Sequence, residues 1–426
     1  MVGFNSIVWN APGQGDPATI LRNGLQYNRG DLYRASLDPG ALPVAGQTNA
    51  PAVILDASWA RPPRVNQWTI GIQREINRSL VVEAAYVANR TAWLNGPNMV
   101  NPNAITPEQL KAVGLDLSLK ADRDLLTSRI DSAAVVARGF KLPYTGFAGS
   151  NTLAQALRPY PQFNASLAAR NASLGRSWYD SLQIKATQRF NRGLDFTTVL
   201  TWAKDLDATT AYNDAFNRQN QKRITGGSQP LVLTFGFNYE TQKWFNNKVL
   251  AYVTSGWTLG GLLRYSSGTV IGVPVATNLL VSQIFQNTVF NRVEGQDLFK
   301  KDLDCHCFDP NKDLLLNSAA WVNPDQGKFG VAAAAYSNYR TQRVPDEQLS
   351  LGRVFRIREA MSFSIRAEFF NVFNRTVYTY PASFSATPTA TPTFDSAGNL
   401  TGGFGFVNAN NNGQPRNGQL VGRLTF

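Results

Sequence analysis

The carboxyl-terminal segment 420–426 alternates between two kinds of side chain. Its even positions carry apolar or small residues and end on Phe426, whereas Arg423 and Thr425 occupy intervening positions. Successive side chains of a β-strand point to opposite faces, so this segment predicts a strand with one apolar and one polar face. A chain built from such strands needs a different environment on each side of its sheet.

The same alternation recurs upstream and predicts about nine strands. In the clearest segment, Leu182, Ile184 and Ala186 share one face, while Gln183 and Lys185 share the other. Runs of this kind, separated by turn residues, are typical of antiparallel sheets. The predicted strands cover residues 65–75, 79–90, 178–190, 194–202, 229–240, 255–267, 346–357, 361–373 and 420–426.

The composition favours a membrane environment. Charged residues make up 16% of the chain and aromatic residues 11%, whereas soluble domains carry about 25% charged residues. No segment reaches the roughly 18 consecutive apolar residues of a membrane helix. Strands escape this requirement because only alternate residues meet lipid. The sequence therefore predicts an all-β fold, a segment of an antiparallel transmembrane β-barrel with about nine or ten strands, in the bacterial outer membrane.

The lengths of the connections support this prediction. Short turns alternate with long segments at 91–177, 204–228, 268–345 and 374–416, and bacterial barrels place turns in the periplasm and long loops outside. A Thr-Pro-Glu-Gln sequence at 106–109 predicts a helix from about Pro107 through the region 110–126, on the largest loop. Aromatic residues near strand ends are predicted to form interface girdles: Trp68, Trp93, Trp178, Trp202, Trp257, Tyr265 and Tyr378.

Strand parity assigns the two ends of the chain. If Phe426 ends in the periplasm, nine strands place residues 1–64 in an extracellular loop region and residues 65–426 in the barrel. Residues 1–9 have neither the basic start nor the apolar stretch of a signal peptide, and complete single-chain barrels have an even strand number. We therefore expect the carboxyl-terminal portion of a larger barrel.

Several segments resemble one family, the Oar-like TonB-dependent receptors. They are RPPRVNQWTIGIQRE at 61–75, VVEAAYVANR at 81–90, LRPYPQF at 157–163, the hairpin region 178–207 and RAEFFNVFN at 366–374. The resemblance implies the β-barrel portion of such a receptor, without its plug and its amino-terminal carboxypeptidase-regulatory-like domain. Its full-length form would take up or export a ligand across the outer membrane.

The resemblance also implies partners. The carboxyl-terminal strand ending at Phe426 would be recognised by the barrel assembly machinery, and the barrel would contact outer-membrane lipid and lipopolysaccharide. Coupling to the TonB system would run only through the missing amino-terminal parts. No cofactor is implied, and the ligand-binding residues are unknown. Despite the net charge of +12, no basic block or recognition helix indicates nucleic-acid binding.

Charged residues on the polar faces need a hydrated surrounding, because a charge on the lipid face costs about 2–4 kcal/mol at the midplane. They are predicted to pair with one another inside the barrel, or to contact a plug or cargo. These residues are Lys185, Arg189, Arg264, Arg366, Glu368 and Arg423.

The remaining chemistry is sparse. Cys305, His306 and Cys307 form the one cluster of soft ligands, open to three interpretations: a plain or crosslinked loop, a metal contact, or a redox-labile pair. Asp205 and Asp207 indicate either a solvated rim or, far less, an acidic protease site. A single histidine leaves almost no room for a catalytic triad. We therefore predict no catalytic, cofactor-binding or metal-binding residue and no enzyme.

An exported all-β surface adhesin is the alternative to the receptor. The two differ in where the apolar faces go. In a soluble sandwich they pack against each other, whereas in a barrel they form a lipid-facing band about 25 Å tall.

Overall fold

A computed structural model describes residues 54–55, 61–164, 167, 169–170, 172–305, 307–358, 361–378, 387–409 and 413–426. Most of the predicted extracellular region 1–64 lies outside these residues, so its assignment stays a prediction. Among the described residues, no helix is long and apolar enough to cross a membrane.

One antiparallel sheet dominates the structure. Its nine long strands follow one another in chain order across the sheet, and the two-residue strand Arg223–Ile224 pairs beside β4. The strands are β1 (Arg64–Asn77), β2 (Leu80–Leu94), β3 (Gly175–Asn191), β4 (Leu194–Ala208), β5 (Leu231–Glu240), β6 (Trp257–Ser266), β7 (Val344–Arg358), β8 (Met361–Phe370) and β9 (Asn417–Thr425). All nine predicted strands are thereby confirmed, with ends that differ by a few residues.

Turn chemistry fixes the hairpins. Between β3 and β4, Arg192 and Gly193 both have positive φ angles, 51° and 86°. Two successive left-handed residues make the turn whose twist matches that of paired strands. A side chain at position 193 would also strike the carbonyl oxygen of Glu240, since a Cβ atom there would lie 2.2 Å from it.

The connections separate by length onto opposite ends of the sheet. The turns after β1, β3 and β7, the 241–256 connection with its helix α5 (Lys248–Thr254), and the chain end all lie at one end, the turn end. The four long segments after β2, β4, β6 and β8 all lie at the other, the loop end. This confirms the predicted alternation of short and long connections.

The two faces of the sheet differ as predicted. Opposed residues in adjacent strands share a face, and one register row runs through Ile70, Tyr86, Leu182, Trp202 and Leu231. These side chains stay exposed: Ile70 is 70% and Trp202 63% accessible. Among the residues that the structure describes, no second layer covers this apolar face along the middle of the strands.

The long segments fold into a layer of their own at the loop end, here called the loop layer. It contains α1 (Pro107–Ala112), α2 (Lys120–Thr127), α3 (Ala133–Ala137), α4 (Leu153–Ala156) and α6 (Leu280–Ile284). Two buried clusters hold the loop layer together. The first joins the 95–174 segment to α6, and the second joins the 267–343 segment to Phe404 and Val407.

The predicted helix over 107–126 is two helices. Thr106 caps α1 with the reciprocal Gln109 contact that the sequence indicates. The helix then ends at Val113, because Gly114 takes a left-handed φ of 77°, a conformation that terminates helices. Leu115 and Leu117 in the connection turn into the first cluster, so burial of these side chains favours the break.

The sheet does not close on itself within the described residues. β1 pairs only with β2, and β9 pairs only with β8. Every residue of β1 is exposed on both faces. Both outer strands of the sheet therefore keep a free edge among the described residues.

Candidate functional site

The polar face of the sheet carries the charges that the sequence placed there. A register row crosses six strands through Glu83, Lys185, Val199, Thr234 and Arg264 and ends at Asp346 on β7. Oppositely charged side chains are neighbours at the two ends of this row, Glu83 opposite Lys185 and Arg264 opposite Asp346, so the charges within each pair attract one another. By strand register, Arg189, Arg366, Glu368 and Arg423 lie on the same face.

Some of these charges are paired within the sheet. Arg366 and Glu368 form an ion pair with 2.5 Å between Nη2 and Oε1, and Gln419 of the neighbouring strand also donates to Glu368. Arg264 donates to Gln229 at 3.1 Å and to Ser266 at 3.2 Å. Arg366 thus pairs with another charged residue, as one of the two predicted alternatives has it, whereas Arg264 contacts neutral side chains.

A groove of about 470 Å³ lies on this face toward the turn end. It crosses five consecutive strands, from Asp195 and Asn238 to Gln348, Ser350 and Glu368. Its lining combines these polar side chains with three glycines and with apolar side chains such as Leu262 and Phe369, a mixture that suits binding of a solute with polar groups.

A cavity of about 580 Å³ lies in the loop layer, directly beyond the end of β6. It is lined by Lys300, Lys301, Arg340 and Arg343, opposed by three carboxylates. Arg343 reaches Asp304 through Nε at 2.7 Å, and the nearby Lys301 binds Asp313 at 2.8 Å. Lys300 forms no ion pair among the described residues and leaves an amine available to an anionic or carbonyl-bearing ligand.

The Cys305–Cys307 pair lies next to this cavity as a disulfide. Of the three interpretations of the cysteine cluster, the disulfide fits the crosslinked loop and the redox-labile pair alike. A disulfide has no thiolate to offer a metal, and the described residues contain no group of three or more metal-binding side chains. His306 lies outside the described residues.

Arg340 joins separate parts of the loop layer. Its Nη1 atom donates to the carbonyl oxygens of Ser228 and Gly268, and its Nε atom donates to that of Ser337. Burial lowers the pKa of Arg340 from its usual value, because desolvation disfavours the charged form. These contacts connect the segment after β4 with both ends of the segment after β6 and shape the cavity wall.

The LRPYPQF motif has a packing role. The carbonyl oxygen of Phe163 accepts hydrogen bonds from Asn103, Gln155 and Arg158, at 3.2, 2.8 and 2.9 Å. The guanidinium carbon of Arg158 also lies 3.3 Å from the centroid of the Phe285 ring. Burial lowers the pKa of Arg158 to about 10. The motif thus ties the longest loop to the one after β6.

Asp205 and Asp207 lie near the end of β4. Asp207 pairs with Arg223 at 3.3 Å across the short strand beside β4, and the register places Asp205 two residues away on the same face. No histidine lies beside them among the described residues. Asp207 is therefore held in an ion pair with only 14% of its side chain exposed, and both interpretations of the two aspartates stay predictions.

Most predicted girdle aromatics lie at the ends of the apolar face. Trp68, Trp178, Trp202 and Tyr265 lie toward the loop end, and Trp257 lies toward the turn end. From Tyr265 to Trp257 is eight residues, which span about 26 Å along a strand. A tilt of roughly 40° reduces this to about 20 Å, close to the height of a membrane band.

The prediction was wrong for Tyr378. It packs against Phe308 in the loop layer, with ring centroids 5.6 Å apart. The chain has left β8 by then, because Asn371 and Asn374 take left-handed φ angles of 47° and 51°. Asparagine tolerates this conformation better than most residues.

Sequence reasoning missed the loop cavity and the Glu347–Arg375 pair. Glu347 is 1% exposed and accepts from Arg375 Nε at 2.8 Å. Asn371 positions Arg375 by accepting its backbone N–H at 2.8 Å. The only sequence signal for this pair was the Asn-x-x-Asn spacing in the FFNVFN motif.

Comparison with known families now identifies the class. A family model described as an outer membrane beta barrel domain matches residues 3–419. The chain belongs to this family and lies in the bacterial outer membrane, as predicted. A search of curated proteins finds no match.

Solved structures with a similar fold include outer-membrane receptors and transporters. The ferripyoverdine receptor of Pseudomonas aeruginosa is 10% identical with a TM-score of 0.36; the match covers 87% of this chain and 29% of the receptor. The transporter YddB of Escherichia coli is 9% identical with a TM-score of 0.33, over 88% of this chain and 34% of the transporter. The chain thus spans about a third of these proteins' length or less.

Proposed function

We propose that this chain is the barrel portion of an Oar-like TonB-dependent receptor, which moves a ligand across the outer membrane. The observation that carries the proposal is the arrangement of three features along one axis. A sheet with an apolar and a polar face has short turns at one end, and a folded loop layer with a cavity lies at the other.

The family motifs support this assignment through what they build. The 61–75 and 81–90 segments form the β1–β2 hairpin, LRPYPQF packs the loops, and FFNVFN directs Arg375 to Glu347. A surface adhesin has no need of a polar sheet face that carries oppositely charged pairs on neighbouring strands, such as Glu83 with Lys185. The free edges of β1 and β9 would pair with further strands of a closed barrel. The proposal assigns no catalytic step.

The loop cavity is the proposed first contact of the ligand. Lys300 and Lys301 line it, and carboxylates flank them, so it suits a polar ligand with anionic or carbonyl groups. The groove on the polar face, lined by Asn238, Gln348 and Ser350, lies further toward the turn end. A ligand moving from the cavity to the periplasm would follow this face.

The test compares solute depletion by cells of the source organism with and without this gene. Untargeted mass spectrometry of the spent medium is expected to show a solute removed faster when the gene is present, and not in a strain lacking TonB. Replacing Lys300 and Lys301 by Gln should slow its removal, whereas the same change at Lys111 and Lys141, exposed elsewhere on the loop layer, should not. Loss of surface attachment without any TonB-dependent depletion would favour the adhesin.

A further inference from the structure

A second cavity of the loop layer, with a volume of about 350 Å³, lies where three of the long segments meet. Its lining comes from the 95–174 segment, from the segment after β4 and from the segment after β6. We call it the amide cavity, because five of its lining side chains are amides: Asn98, Asn101, Asn213, Gln286 and Asn287. The cavity beside Lys300 shares none of these residues.

Contacts between the three segments fix the walls of the amide cavity. The backbone N–H of Ala215 donates to Gln286 Oε1 at 3.0 Å and joins the segments after β4 and after β6. Asn101 Nδ2 donates to the carbonyl oxygen of Phe285 at 3.1 Å and joins the 95–174 segment to them. A site held in this way is preorganised, so a ligand orders little of it on binding.

The amides differ in burial, and the two buried ones lack part of their hydrogen bonding. Asn213 and Gln286 are 6% and 3% exposed, whereas Asn98 and Asn287 are exposed. Asn213 donates through Nδ2 to the carbonyl oxygen of Gly330 at 2.7 Å, but its Oδ1 atom has no partner among the described residues.

Gln286 shows the reverse arrangement. Its Oε1 atom accepts from Ala215, and its Nε2 atom has no partner among the described residues. Leaving a buried donor or acceptor unpaired costs free energy. The buried end of the amide cavity therefore has one acceptor and one donor to offer a ligand.

The lining of the amide cavity carries little charge. Among the described side chains that line it, Asp214 is the one charged group. An anion would meet this carboxylate, and a cation would find a single partner, so the lining suits a neutral ligand. Asp214 and Phe285 also hold left-handed φ angles of 41° and 60°. Strained residues of this kind cluster at ligand-binding sites.

Hydroxyl groups complement this lining best. A hydroxyl donates and accepts through one atom, so it can serve Asn213 Oδ1, Gln286 Nε2 or the Asp214 carboxylate. Sugar rings carry several hydroxyls around an apolar C–H face, and Ala211 and Phe285 offer apolar contact. The volume lies near the lower end of the roughly 300–1,000 Å³ of small-ligand sites, which suits one or two sugar units.

We propose that the amide cavity binds a neutral saccharide. Asn213 and Gln286 bond its hydroxyl groups at the buried end, and Asn98 and Asn287 bond them at the exposed mouth. This site is separate from the cavity beside Lys300, and its occupancy does not depend on whether the chain transports a ligand.

The experiment measures saccharide binding to the full chain by saturation-transfer difference NMR. The detergent is lauryldimethylamine oxide, because detergents with sugar head groups would compete. The probes are glucose, galactose, mannose and N-acetylglucosamine, alone and as disaccharides, and at least one of them should bind. The uronic-acid and amino-sugar counterparts of the bound sugar, and triglycine, should bind at least about tenfold more weakly, because the cavity does not compensate their charges.

Two variants and a matched control locate the bound sugar. The mouth variant combines Asn98→Ala with Asn287→Ala, whose side chains form no hydrogen bond among the described residues, and the deep variant is Gln286→Met. Each should weaken binding on the order of tenfold, since hydrogen bonds to the sugar are lost. The control combines Gln219→Ala with Asn220→Ala, exposed amides of the loop layer outside the cavity, and should leave binding unchanged.

Circular dichroism and heat-modifiable gel mobility establish that the variants fold, and the mouth variant tests the site even where the deep variant does not fold. Absence of binding by all the neutral saccharides, equal binding of triglycine or of the charged counterparts, or equal losses in the mouth variant and the control would overturn the proposal. Solute depletion by cells is a separate measurement, so failure of the transport proposal would remain distinguishable from failure of this one.

Discussion

The sheet and the loop layer treat apolar side chains in opposite ways. In the loop layer, Leu126 and Leu153 are completely buried among other side chains. In the sheet, Ile72 is 75% and Leu420 72% exposed on the apolar face. The two regions belong to one chain, yet only the loop layer has the interior of a soluble protein.

The difference indicates two solvents. Apolar side chains leave water wherever they can, since burial contributes about 25 cal/mol per Å². The loop layer meets water and satisfies this requirement with its own two clusters. The sheet lies in the outer membrane, where hydrocarbon chains cover its apolar face, and the mid-strand charge of Lys185 lies on its polar face.

The largest effect is expected from a cavity in the loop layer. Leu153→Ala removes a fully buried side chain from the first cluster and should destabilise the loop layer by about 2–5 kcal/mol. The matched change Ile184→Ala, on the apolar face, should cost far less because mobile lipid or detergent fills the space. Hydrogen exchange measures how much each variant is destabilised. Equal destabilisation by the two substitutions would contradict the claim that the loop layer has a packed interior and the apolar face does not.

The second-largest loss of stability is expected from a charged residue placed on the apolar face. Ile184 lies midway along β3, so Ile184→Arg should lower the stability of the folded barrel by about 2–4 kcal/mol in lipid vesicles. Gln183→Arg places the same charge on the polar face one residue away and should be tolerated. Denaturant titration in vesicles compares the two. Equal tolerance would mean that the apolar face does not meet hydrocarbon.

The smallest effect concerns pH in the loop layer. The pKa of Asp313 lies below its usual value, because Lys301 and the backbone N–H of Asp309 donate to its carboxylate. This contribution is present above the ordinary aspartate pKa of about 3.9 and is lost as pH falls through the lower folded value. It amounts to at most about 1 kcal/mol.

Thermal unfolding of the loop layer between pH 3 and pH 7 measures the contribution of Asp313 to its stability. Asp313→Asn should lose the contribution at neutral pH and flatten the acidic limb of the profile. An unchanged profile would show that the Lys301–Asp313 pair contributes nothing to the loop layer. The stability of the sheet should not change with this substitution.

The same contrast explains what the sequence could predict. Strand positions follow from local alternation, so Leu182 and Lys185 were placed on their faces without any knowledge of their neighbours. The loop layer depends on contacts between distant segments, such as Arg158 with Phe285 and Arg340 with Ser228. The alternation of apolar and polar residues along a strand carries no information about such long-range contacts.

The candidate site was accordingly predictable in part. The inward charges Arg264, Arg366 and Glu368 were assigned from parity, because lipid excludes them from the other face. The cavity beside Lys300 could not be predicted in this way, because it forms only where separate loops pack together. The single helix expected over 107–126 failed for the same reason: contacts with the first cluster, together with Gly114, outweighed local helix propensity.

Spin labels placed one at a time at residues 181–187 of β3 test the central claim most directly. In lipid vesicles, labels at 182, 184 and 186 should be accessible to oxygen dissolved in the hydrocarbon. Labels at 181, 183, 185 and 187 should instead be accessible to a water-soluble nickel reagent. An accessibility profile without this period of two, or even positions shielded from both reagents, would contradict a lipid-solvated apolar face.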